Sequence, residues 1–115
     1  MLPEKSENLR VFIKPGPTDL RKSINGLTFE AQEHMRCKPL SGNLFAFCNR
    51  RRNLIKIVYW DDNGFCLWLK RLEEEKFKWP RSAEECLEID REQLGWLLRG
   101  LDYRSAHKKL QYSVV

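Results

Sequence analysis

The sequence predicts an α+β fold: a single domain, residues 1–115, in which an antiparallel sheet of about four or five strands, built on two consecutive hairpins, carries two packed helices. Three observations predict it. Between Leu44 and Trp79, three runs rich in Phe, Ile, Leu, Val and Trp are separated by NRRRN and by DDNG, the pattern of strands divided by tight turns. On either side of this block, apolar residues recur at helical spacing. A chain of 115 residues with 42% hydrophobic and 32% charged content suits one soluble domain with a real core.

Taken in order, Leu9 to Lys14 alternates with hydrophobes at Leu9, Val11 and Ile13 and is stopped by PGP at 15–17, a short strand and a turn. Thr18 or Asp19 is the expected cap of a first helix with its apolar stripe at Leu20, Ile24, Leu27, Ala31 and Met35, ending before Lys38-Pro39. For the hairpins, a three-residue loop of Asp62, Asn63 and Gly64, with Gly64 left-handed, sets Tyr59 opposite Leu67 and Ile57 opposite Leu69. A five-residue loop from Asn49 to Asn53 pairs Phe47 with Ile55 and Phe45 with Ile57. The expected core face is then Phe45, Phe47, Ile55, Ile57, Tyr59, Phe65, Leu67 and Leu69. The reverse face mixes Val58, Trp60 and Trp68 with Lys56 and Lys70, so it is either a binding surface or the underside of a second layer that the Lys stems border.

Beyond Pro80 an acidic connection leads to a short strand at Cys86 to Ile89. The second helix is sharply marked: Asp90 as N-cap, Gln93 completing a capping box, and Ile89 stapling to Leu94. Leu94, Leu97, Leu98 and Leu101 form its expected buried stripe, and Gly100 ends it. The basic tail, 103–115, is expected to be partly mobile, as termini are unless docked.

Several function classes are disfavoured. No run approaches the ~18 apolar residues of a membrane span, and MLPEKSENLR lacks a signal-peptide core, so a cytoplasmic protein with no membrane partner is expected. Cys37, Cys48, Cys66 and Cys86 form no CxxC pair, and His34 near Cys37 with a remote His107 does not complete a zinc set. Asp61 and Asp62 are adjacent and point apart in a strand end, which suits a turn better than a metal. With no nucleophile elbow, phosphate-cradling Gly loop or HExxH pair, the expectation is a protein that is not an enzyme and takes no cofactor.

Charge is more informative. The net +5 is uneven: residues 1–49 carry +2, 50–81 carry +4, 82–102 carry −4 and 103–115 carry +3. Arg50, Arg51 and Arg52 crowd one hairpin tip, with Lys56 on the adjoining strand, as in β-ribbon readers of nucleic acid; a solvated tip that opposes edge aggregation is the plain alternative. Arg21 and Lys22, expected in a first helical turn, face the dipole unfavourably and so favour an anionic partner. Lys70 belongs to a third basic group, partly neutralised by Glu73, Glu74 and Glu75.

Three stretches carry a resemblance: PGPTDLRKSINGL at 15–27, SGNLFAFCNRRRNLIKIVYWDDNGFCLWLKRLEEEKFKWP at 41–80, and IDREQLGWLLRGLDYR at 89–104. Together they resemble the accessory protein from the second reading frame of insertion sequence 66 elements, labelled TnpB there and unrelated to the RNA-guided nuclease of the same label. Cys48, Cys66 and the tail after Arg104 depart from that pattern. The resemblance implies a non-catalytic protein encoded beside a larger transposase, which carries the acidic catalytic triad, and assisting transposition. It supplies no catalytic residue.

The expected function is therefore a transposition accessory factor contacting DNA at the element ends, the transposase, or both. The expected nucleic-acid-binding residues are Arg21, Lys22, Arg50, Arg51, Arg52, Lys56 and Lys70, with Trp68 or Trp60 adding a stacking contact. The rival reading is a protein-interaction module that docks on the transposase, or on a second copy as a homodimer, through the Trp-bearing face.

Overall fold

The structure, a computed structural model, describes residues 9–35, 42–81 and 86–104. Its elements are β1 (Val11–Pro17), α1 (Ile24–Glu33), β2 (Leu44–Cys48), β3 (Leu54–Asp61), β4 (Gly64–Arg71), β5 (Leu87–Ile89) and α2 (Arg91–Leu98). Cys37, His107 and the tail beyond Arg104 lie outside the described residues. One sheet orders the strands β4-β3-β2-β1-β5. The expected α+β domain of five strands and two helices is present, and three of its four ladders are antiparallel. The fourth, β1 with β2, is parallel, because α1 carries the chain back before β2 begins.

β1 runs through the PGP segment rather than stopping before it. Its register with β2 shifts between Ile13 and Pro17, and Gly16 at φ 78° absorbs the irregularity, so neither proline removes a needed ladder donor. α1 begins at Ile24 with Ser23 at the cap position, later than the expected Thr18 or Asp19. Asp19 instead turns the chain, its Oδ1 accepting from the Arg21 amide at 3.0 Å. Arg21 and Lys22 therefore precede the helix.

Both hairpin registers differ by one residue from expectation. Phe45 pairs with Val58 and Cys48 with Ile55; Tyr59 pairs with Cys66 and Ile57 with Trp68. The second hairpin has a two-residue loop, Asp61 pairing with Gly64, and it is Asp62 rather than Gly64 that takes positive φ, 57°. Because side chains alternate, these shifts redistribute the faces. Phe45, Phe47 and Val58 lie beneath α1, packed with Leu20, Leu27, Ala31 and Met35. Ile55, Ile57 and Tyr59 face the other way, with Val11, Ile13, Leu44 and Ala46, against Leu94, Leu97 and Leu98 of α2. The expected single core face thus divides: Phe45 and Phe47 go to one core and Ile55, Ile57 and Tyr59 to the other, while Leu67 and Leu69, expected in the core, lie exposed on β4 at the edge of the sheet beyond the cover of α1.

The second core also takes in Phe77 and Trp79, from an extended strap after β4. The strap is bonded at intervals: Leu72 N donates to Asn53 O, Phe77 N to Arg52 O, and the Trp79 indole N–H lies 2.9 Å from Lys14 O and 3.1 Å from Gly16 O. α2 has the capping box expected of it, with Gln93 N donating to Asp90 Oδ1 and Asp90 N to Gln93 Oε1. Gly100 at φ 83° closes it, Gly100 N donating to Leu97 O and Leu101 N to Trp96 O. That closure turns Leu101, expected in the buried stripe, outward to 45% exposed, and Trp96, not expected there, is buried.

Candidate nucleic-acid interface

The β2–β3 tip is built by its flanking asparagines. Asn49 Oδ1 accepts from the amides of Asn53 and Leu54, each at 3.1 Å, and Asn49 Nδ2 donates to Asn53 Oδ1 at 2.7 Å. Arg52 N closes the turn on Asn49 O, with Arg52 at φ 60°. The loop is held by its own side chains and backbone, so the arginines project from a fixed base. Arg50 and Arg51 are exposed, and neither they nor Arg52 forms an ion pair with a described residue.

Two other segments reach the same end. The loop after β1 is tied there by Thr18 N donating to Cys48 O, and the strap by Gly16 N donating to Pro80 O. Between the β1–α1 loop and the tip lies a cleft of about 560 Å³, bordered by Thr18, Arg21, Asn49, Arg50 and Arg51. A second, of about 330 Å³, adjoins it across Pro17, Asn49 and Arg50 and is bordered by Arg52, Trp79 and Arg81. Five arginines thus surround two adjoining hollows.

They are not electrically equivalent. Arg21 makes a two-point contact with Asp19, at 3.0 and 2.9 Å, which draws that carboxyl down to about 2, so Asp19 stays ionised and offsets Arg21. The net positive field comes from Arg50, Arg51, Arg52 and Arg81. Such a cluster on a fixed loop can grip phosphates. Among the described residues Thr18 Oγ1 is a buried side-chain oxygen without a hydrogen-bond partner, and its residue borders the first cleft.

The remaining sequence-derived candidates sit elsewhere. Lys22 pairs with buried Glu30 beneath α1. Lys56 Nζ donates to Leu20 O at 2.5 Å, holding the segment before α1 onto the sheet. Lys70 Nζ donates to Leu98 O at 2.8 Å, where the last carbonyls of α2 lack helical partners. Trp68 packs half-buried against the α2-side core, and Trp60 meets Phe65 edge-on with ring centroids 5.0 Å apart. Sequence reasoning missed Asn49, Asn53 and Arg81. The symmetric Asn residues around RRR were a readable signal for a clamped loop; nothing local marked Arg81 as a neighbour of that tip.

The fold and this end of it define a small mixed-sheet α+β protein with clustered arginines. Among its described residues no three His, Cys, Asp or Glu side chains gather to hold a metal, and no helix is long and apolar enough to cross a membrane. The chain belongs to the IS66 Orf2-like protein family, whose model matches residues 9–108. It is 40% identical over 104 residues to the uncharacterized protein y4hO of Sinorhizobium fredii (strain NBRC 101917 / NGR234), covering 90% of each chain. Against the uncharacterized protein y4jC of the same organism it is 31% identical over 104 residues, 90% of this chain and 89% of that one. No solved structure matches.

Proposed function

We propose that this protein is a non-catalytic accessory factor of insertion-sequence transposition that works in the cytoplasm and holds DNA backbone at the element ends through its arginine-lined end, presenting it to the separate transposase of the same element. Family membership supports the transposition context. The observation that carries the DNA contact is the convergence of three segments distant in sequence, which places Arg50, Arg51, Arg52 and Arg81 around adjoining clefts. Lys56 and Lys70 act in this reading as internal fasteners, since their amines are held by backbone carbonyls.

The test is binding to labelled element-end DNA and to unrelated DNA across a salt series, with Arg50, Arg51 and Arg52 changed together to Ala. If all three contact phosphates, the log–log salt slope falls by about three. Lys70→Ala should lower stability and leave the slope unchanged. Absence of binding at low salt, or a slope untouched by the triple change, refutes the DNA contact.

A further inference from the structure

β4 is an outer strand of the sheet; among the described residues no strand pairs with its outer edge, and its charged residues, Lys70 and Arg71, stand at one end. It pairs with β3 through eight consecutive residue pairs without a register shift, and it contains no proline. The ladder also fixes which backbone groups point outward. Leu72 N donates to Asn53 O in continuation of the β3–β4 register, so the even-numbered residues direct their amides and carbonyls toward β3. Phe65, Leu67, Leu69 and Arg71 then direct theirs to the open side. Their side chains lie on the α1 face, where Leu67 is 37% and Leu69 52% exposed, although Val58, opposite Leu67, is 1% exposed. Apolar surface and unpaired backbone thus coincide on one edge.

The strand is also bipolar. It follows the acidic turn Asp61-Asp62 and ends at Lys70-Arg71. An antiparallel copy brings the basic end of each strand beside the acidic turn of the other. Among the described residues Arg71 meets Glu73 through Nε at 3.1 Å, an exposed pair of the kind that contributes little.

We propose that β4 is a self-association edge, two copies of this chain pairing their β4 strands antiparallel about a two-fold axis through Leu67. Symmetry restricts the register. The axis runs perpendicular to the sheet, so like faces stay together and odd residues meet odd residues, which are the ones whose backbone groups are available. Centred on Leu67, the pairing sets Leu69 opposite Phe65 of the second copy and brings Arg71 beside the turn that carries its Asp62. The exposed leucines of both copies then form one apolar stripe, and the two sheets become one.

This is independent of the DNA reading and is tested on the full chain without DNA. Sedimentation equilibrium should give twice the 13.8 kDa chain mass. Leu67→Lys and Leu69→Lys should each give the monomer with unchanged far-ultraviolet dichroism. Arg71→Asp should weaken association, since it sets an acid beside the acidic turn of the second copy. Independently of those variants, Leu67→Cys should form a disulfide-linked dimer under mild oxidation above the wild-type background, since residues at the axis come within bridging distance. A monomeric wild type overturns the proposal, as does a dimer that both lysine variants leave intact. A dimer that Leu67→Cys does not cross-link overturns the register.

Discussion

Glu30 offers the sharpest test of the packing logic, because it is a carboxylate 5% exposed on the sheet-facing side of α1. Burial alone would raise its pKa, but hydrogen bonds from Lys22 and His34, aided by the charge of Lys14, outweigh it and leave the carboxyl below its ordinary range. The His34 Nδ1 contact is 2.7 Å and the Lys14 Nζ distance 3.8 Å. Glu30→Gln keeps the shape and removes the charge. A charge-assisted hydrogen bond contributes about 1.5–3 kcal/mol, but the Lys22 and His34 side chains are 39% and 57% exposed and can rehydrate. The net cost at neutral pH is then about 1–2 kcal/mol, or roughly 3–10 °C in Tm for a domain of this size. A folded pKa lowered below the unfolded one gives stability that is present above the unfolded value and lost as pH falls through the folded one. The wild type should therefore exceed Glu30→Gln in urea-unfolding free energy at pH 7, and the gap should close on acidification below the ordinary glutamate range. A gap that persists unchanged at low pH, or no gap at neutrality, refutes the assignment of Glu30 as the charged hub under α1.

Other outcomes are expected with simpler assays. Phe77 is fully buried, so Phe77→Ala should cost about 3–5 kcal/mol in chemical denaturation, showing that the strap is part of the core. Asp90→Ala removes one half of the α2 capping box and should cost about 1 kcal/mol, with Asp90→Asn recovering most of it. Burial pushes the Cys48 thiol up to about 12, so in the native protein it should resist thiol reagents at pH 8 and react only after denaturation.

How far the sequence was legible depended on where each determinant lay. α2 could be read almost residue by residue because Asp90, Gln93 and Gly100 act on backbone groups within a few positions of themselves. The hairpins were recognisable but their registers were not. Register is normally read from one apolar and one polar face, and here a helix covers each face, so a one-residue shift leaves both alternatives apolar. The turn added to the error: DDNG invites Gly64 into the left-handed position, whereas Asp62 occupies it. The candidate interface was half legible. Runs of arginine announce themselves, and Arg50 to Arg52 do stand out at a tip. Lys56 and Lys70 look equivalent in sequence, yet their amines are taken by Leu20 and Leu98 carbonyls that only the tertiary fold brings near.

The place of β5 bears on how the chain is made. β1 is flanked by β2 on one side and β5 on the other, with Val11 opposite Ile89 and the Arg10 guanidinium on the Glu88 carboxylate at 2.7 Å. During synthesis the parallel β1–β2 ladder can form once β2 has emerged, but the outer edge of β1 stays unpaired until residues 87–89 are available. A release or stall before that point leaves a nascent domain with an open strand at each side of its sheet, β1 and β4. Interrupted translation should therefore yield aggregation-prone fragments, and the last short strand acts as the closing stitch of the fold.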